Sequence, residues 1–192
     1  MKLYLIRHGE SENNNSGCYT GWADVNLTEK GIEDAKRTRK YISDIEFDKI
    51  YSSDLARAKK TAEVAIPGCV YEETSLIREI NLGKLQGNKI ADCPQIFGEE
   101  FSKHVAEQNY NPYGGENITE FRNRIAAFLD IVSKSNFENV AAFCHGGILR
   151  RTRDDILGVN IPRKLMPCFN CAILVLEYKN ENWFVHSWIN TQ

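Results

Sequence analysis

His8 and His145 each stand directly after an apolar run and directly before glycine, in LYLIRHG and VAAFCHGG. Imidazole changes charge near neutral pH, so it can attack, carry a proton or bind an anion. Arg7 precedes His8, and Arg57 lies in YSSDLARAKK. The planar fork of arginine fits the oxygens of phosphate. Gly146 and Gly147 follow His145, where the backbone amides of a helix start favour an anion. These residues together suit phosphate chemistry. Taken singly they also fit a structural reading: a hydrogen-bonded histidine at a strand end, or a solvated arginine on a helix.

Metal chemistry has less support. The other histidines, His104 and His186, complete no HxH or HxxxH spacing, so no metal site is expected. Cys168 and Cys171 form a CxxC, but no second pair follows. All six cysteines are expected to be free thiols, and this pair to be buried rather than a metal or redox site.

The elements that must position these residues alternate between strand and helix. MKLYLI reads as a first strand and FDKIYSS as a second. Between them, Ile32, Ala35, Arg39 and Ile42 recur along one helical face, with Thr28 as N-cap. Ser52 or Ser53 is expected to cap a helix over DLARAKKTAEVAI, ending before Pro67. VYEETSLIREI predicts a short strand and a loop. Leu82–Gly115 has no clear period beyond a helix expected near Gly98–Gln108. Asn117 and Glu120 signal a helix start, and Phe121, Ile125, Phe128, Leu129 and Val132 follow at helical spacing. VAAFC predicts a strand, HGGILRRTRDDILG a helix closed by Gly158, and AILVLEY with WFVHSWI a final hairpin. The alternation implies an α/β fold with a mainly parallel sheet and an antiparallel edge. Both histidines then fall at carboxyl ends of parallel strands, where α/β sheets bind ligands.

The chain has 192 residues, enough for a single domain over 1–192. Its formal charge of −2 gives no general attraction to nucleic acid or anionic membrane. No signal peptide or membrane-spanning run is read, so a cytoplasmic protein is expected. Oligomeric state leaves no mark in the sequence.

Six stretches carry a resemblance: LIRHGESENN, YTGWADVNLTEKG, YSSDLARAKKTAE, REINLGKLQG, PYGGEN and FCHGGILRR. In that order they resemble the motifs of the histidine phosphatase superfamily, in its phosphoglycerate-mutase-like branch. The resemblance implies a three-layer α/β/α sandwich and catalysis through a phosphohistidine, with no metal or cofactor. His8 would take the phosphoryl group, and Arg7, Arg57 and His145 would hold its oxygens. Glu79 falls at the family's general acid/base. Asn14, Thr20, Gly21 and Gly146 fall at substrate contacts. The implied chemistry needs a neutral His8, a protonated His145 and a backbone carbonyl fixing the His8 tautomer. Gly9 is expected to let the backbone turn beside the anion.

The family holds phosphatases and mutases. Cofactor-dependent mutases carry a long basic insertion after LQG, whereas only Asn88 to Pro112 separate LQG from YGGE here. Leu82 stands where mutases keep a tyrosine. A phosphatase acting on a small phosphomonoester is therefore expected, similar to α-ribazole phosphatases or sugar-phosphate phosphatases. A phosphoglycerate mutase and a non-catalytic phosphate-binding or scaffold protein are the alternatives. Specificity is expected from Leu82–Gly115 and from side chains near Tyr19, Trp22 and Tyr113, whose aromatic rings fit packing on a sugar or base and packing on the core alike.

Overall fold

In the computed structural model, which describes residues 1–191, a mixed sheet runs through the centre. Its strands are β1 (Lys2–Arg7), β2 (Lys49–Ser53), β3 (Glu72–Thr74), β4 (Asn139–Cys144), β5 (Ile173–Lys179) and β6 (Asn182–Ile189). The order is β3-β2-β4-β1-β5-β6. The first four are parallel to one another, and β5 and β6 pair antiparallel along one side.

Alternation along the central strands explains the layers. Side chains on a strand point to opposite faces in turn. Leu3 and Leu5 of β1, with Val140, Ala142 and Cys144 of β4, join a core with α6 (Ile118–Ser133) and α7 (Gly146–Leu157). Tyr4 and Ile6, with Ala141 and Phe143, face Ile42 of α2 (Glu29–Ile42) and Ala62 and Ala65 of α3 (Ala56–Ala65). Strands buried on both faces read as continuous apolar runs, as MKLYLI and VAAFC do. The result is an α/β fold of the expected class, with helices on both faces.

Local signals account for most helix ends. Thr28 Oγ1 accepts from the Gly31 amide at 3.0 Å and opens α2. Asn117 and Glu120 form a reciprocal capping box at α6. Gly158, in the left-handed region at φ +66°, closes α7. α3 departs from expectation. Leu55 occupies its N-cap, and the Ala56 amide donates to Asp24 Oδ1 at 2.7 Å. Ser53 instead accepts from the Leu55 amide and turns its hydroxyl to His145.

The segment after Leu82 holds two short helices, α4 (Cys93–Phe97) and α5 (Phe101–Glu107). With Leu82, Leu85, Tyr110 and Tyr113 they build a separate small core. A short helix α1 (Glu12–Ser16) follows the first strand. Among the described residues no helix is long and apolar enough to cross a membrane.

Candidate active site

β1 and β4 run side by side in register, with Arg7 opposite Cys144. The next residues, His8 and His145, therefore leave the sheet together, and the His8 amide donates to the Cys144 carbonyl at 2.9 Å. Their rings lie 5.2 Å apart between centroids. Both are buried, His145 completely.

The hydrogen bonds assign the His8 tautomer. Nδ1–H donates to the Gly9 carbonyl at 2.6 Å. Nε2 accepts from Arg57 Nε at 3.3 Å, so the lone pair is on Nε2. Burial first, then the Arg57 and Arg7 charges, hold His8 well below the ordinary histidine range. His8 is therefore neutral, as nucleophilic attack requires.

His145 differs from expectation. Burial, Arg57, His8 and Arg7 hold it, too, well below the ordinary range, so it is neutral here rather than protonated. Its Nε2 lies 2.9 Å from Ser53 Oγ. The Ser53 oxygen also accepts from the Leu55 amide, an arrangement that suits donation of its own proton to Nε2. That leaves the proton on His145 Nδ1, a buried donor with no partner among the described residues. An anion is the natural acceptor for it.

Arg57 is fully buried, and its fork donates to the Gly21 and Ala23 carbonyls at 2.7 and 2.8 Å. It lies in the first turn of α3, so the helix start carries it straight to His8. Burial lowers its pKa to about 10, which leaves it charged at neutral pH. Arg7 donates Nη1 to the Cys168 carbonyl, while its buried Nε has no partner among the described residues.

Glu79 reaches the same place from the loop after β3. Its Oε2 accepts from the Gly147 amide at 2.9 Å and Oε1 from the Ile80 amide at 3.0 Å. The amide at the start of α7, expected to be offered to an anionic ligand, is thus already engaged by a carboxylate. The Glu79 carbonyl accepts from Trp22 Nε1 at 2.6 Å and Arg124 Nη2 at 3.1 Å. Arg124 also donates to the Leu76 and Arg78 carbonyls and pairs with Glu116 at 2.8 Å. Of the two roles expected for Trp22, ligand contact or structural packing, the structure has the second: its ring lies 4.7 Å from the Arg78 guanidinium.

Arg7, His8, Arg57 and Glu79 border a cavity of about 500 Å³, whereas His145 is fully buried behind His8 and does not line it. Asn14, Thr20, Gly21 and Gly147 line it, together with Tyr19 and Leu82. Asn14 Oδ1 accepts from Asn170 Nδ2 at 3.2 Å. Gly146 is buried at the first position of α7, and a Cβ there would fall 2.9 Å from Arg150 Nη1. Tyr113 is buried in the small core and does not line the cavity, the core alternative of the two expected for these aromatic rings. Gly9 has no positive φ, so a left-handed turn is not its reason. A Cβ there would lie 2.2 Å from the Gly31 carbonyl, so glycine lets α2 pack against the loop.

Sequence reasoning missed Arg150, Arg163 and Arg124. Arg150 lies one helical turn from Gly146, a spacing that puts both on one face of α7. Arg163 is in an irregular loop and carries no periodic signal. All six cysteines are free thiols, as expected; of the CxxC pair Cys171 is buried and Cys168 only partly so.

The family model of the histidine phosphatase superfamily (branch 1) matches residues 3–191. The chain is 31% identical over 153 residues to the adenosylcobalamin/alpha-ribazole phosphatase of Salmonella typhimurium, covering 78% of this chain and 76% of that protein. It is 40% identical over 117 residues to 2,3-bisphosphoglycerate-dependent phosphoglycerate mutase 1 of Lactobacillus johnsonii, but covers 57% of this chain and only 50% of that mutase. The chain thus spans about half the length of the curated mutases it matches first. Among solved structures, the alpha-ribazole phosphatase of Shigella flexneri superposes with a TM-score of 0.87 at 24% identity, over 100% of this chain and 97% of that one. At that identity the likeness speaks for the fold.

Proposed function

The chain belongs to the histidine phosphatase superfamily, and on that premise we propose that it hydrolyses a small phosphomonoester through a phosphohistidine on His8. The observation that carries the reading is the His8 ring: buried, neutral and held by Gly9 so that Nε2 presents its lone pair beside Arg57. Nε2 attacks phosphorus as the bond to the leaving oxygen breaks. Charge on the equatorial oxygens is met by Arg7, Arg57 and the unpartnered Nδ1–H of His145. Glu79 relays a proton from the bound phosphomonoester monoanion to the leaving alkoxide. As carboxylate it then takes a proton from the water that attacks the phosphohistidine. Phosphate leaves, and both groups return to their starting state. The arginines supply the positive charge, so this chemistry is proposed to run without a metal.

Hydrolysis over mutation is favoured by the short segment after LQG. A mutase must keep water from the phosphohistidine. Here the rim residues Ile90 and Phe169 are 49% and 45% exposed, and the helices α4 and α5 close their own small core. The likeness to the Lactobacillus mutase favours the second reading, a phosphoglycerate mutase. α-Ribazole 5′-phosphate and sugar phosphates are the first substrates to try.

Rapid quenching with ³²P-labelled substrate tests the first reading. Acid-labile, base-stable label should appear on the wild type and be lost, with turnover, in His8→Ala. Substantial turnover by His8→Ala would overturn the assignment. In a parallel assay, isomerisation of 3-phosphoglycerate with little phosphate release would favour the mutase.

A further inference from the structure

Arginine dominates the charge on the cavity wall. Arg7, Arg57, Arg150, Arg151 and Arg163 line it, against the carboxylates Glu79 and Asp154. Most of these groups have partners. Arg57 holds the Gly21 and Ala23 carbonyls. Arg151 reaches Asp155 at 3.6 Å and Gln108 at 3.3 Å. Asp154 is taken by Arg153 at 2.7 Å. Glu79 is bound to two backbone amides. Arg150 and Arg163 make no hydrogen bond or ion pair among the described residues, though both line the cavity.

Their neighbours add to the anomaly. Arg150 abuts the Arg7 edge, since a single Cβ on Gly146 would meet Arg150 Nη1 at 2.9 Å and Arg7 Nε at 3.2 Å. The Arg150 charge is also the foremost influence holding Arg163 below the ordinary arginine range. Three guanidiniums therefore run from Arg7 beside His8 through Arg150 to the exposed Arg163. Glu79, whose charge reaches Arg7 and Arg163, is held by two backbone amides and forms no ion pair with them among the described residues. Like charges this close raise one another's energy, and a bound anion removes the cost. The inner end is accounted for by the transferring phosphoryl group. The outer end is not.

We propose that Arg150 and Arg163 form a second anion subsite, so that the preferred substrate is a phosphomonoester bearing a further acidic group, carboxylate or phosphate. The proposal rests on the phosphomonoester reading of the His8 site. It ranks doubly acidic esters above those whose remainder is neutral. The cavity has room for a phosphoryl group and several further heavy atoms. Arginine forks also favour planar carboxylates and phosphates over hydroxyls, so the discrimination is chemical as well as electrostatic.

Matched ligands test this on the His8→Ala protein, which leaves esters intact. Calorimetry compares 2-phosphoglycolate with ethyl phosphate, and propane-1,3-diol bisphosphate with propyl phosphate. The acidic member of at least one pair should bind roughly tenfold tighter, the scale of a charge-assisted contact. The pair that responds tells carboxylate from phosphate. Arg163 is exposed, so Arg163→Gln should fold, and it should cut the preference severalfold. Adding Arg150→Gln should bring the ratio near one, and Arg150→Lys with Arg163→Lys should restore part of it. Equal affinities within both pairs would overturn the subsite, as would a preference that survives both glutamines. Phosphate release by the wild type reads the other claim separately. Selective binding with no release from any ester would support the subsite and overturn the hydrolase reading.

Discussion

Glu79 is held by four hydrogen bonds. Its carboxylate accepts from the Gly147 and Ile80 amides, and its carbonyl accepts from Trp22 and Arg124. A general acid so fixed should matter most when the leaving group needs its proton. Alkyl phosphates release a basic alkoxide, whereas p-nitrophenyl phosphate releases a stable anion. Glu79→Gln should slow alkyl phosphates by about 10²–10⁴-fold, the usual scale of proton transfer catalysis. The first chemical step with p-nitrophenyl phosphate should slow far less. Burst kinetics on both substrates would check this, and an equal loss would mean that Glu79 only positions the phosphate. At this scale the sequence motifs were informative for the residues next to His8 and His145, because strand ends and glycines announce themselves. Trp22 and Arg124 act through a backbone carbonyl, and no residue pattern marks such a contact. Arg163 is brought to the cavity by an irregular loop.

The start of α7 joins two elements at the site. Gly147 lies where a Cβ would come within 1.9 Å of Glu79 Oε1. The obstructing atom is the end of a flexible side chain, so an alanine can push it aside without moving backbone. Gly147 also has no positive φ, so alanine suits its helical conformation. Gly147→Ala should therefore fold with unchanged or slightly raised stability, since alanine is favoured over glycine in helices by about 1 kcal/mol. Its activity on alkyl phosphates should nevertheless fall by about 10²-fold or more, following the loss of the general acid. Urea titration and initial rates on one preparation separate the two effects. Loss of stability in step with activity would mean that the glycine serves packing alone. Strands were the most legible elements, because β1 and β4 are buried on both faces and read as unbroken apolar runs. Short elements were not. α1, with no buried residue, and α4, bounded by irregular chain, have too few residues to establish a period. The cap of α3 was misassigned because Asp24, remote in sequence, supplies it.

For the molecule as a whole, burial of the His8 and His145 pair links stability to pH. Both are held neutral by burial and by the Arg57 and Arg7 charges, and Glu79 is the nearby carboxylate engaged elsewhere. Their folded pKa values are depressed, while in the unfolded chain each titrates near an ordinary value of about 6.5. Below that pH the unfolded chain takes up protons that the folded protein refuses. The contribution is therefore complete above about 6.5 and is lost as pH falls toward the folded values. Between pH 7.5 and 5.5 each histidine should remove about 1.4 kcal/mol of unfolding free energy. The carboxylates held low by their partners, Asp54 by Arg78 and Glu10 by Lys30 among them, protonate further down and leave this window to the histidines. Urea unfolding at pH 7.5, 6.5 and 5.5 should give that slope, and His8→Asn and His145→Asn should each remove about half of it. Inorganic phosphate should flatten the slope as well, because a bound anion offsets the charge on a protonated His145. A slope unaffected by either substitution would mean that the two rings titrate normally in the folded protein. That result would also remove the electrostatic basis for a neutral, nucleophilic His8.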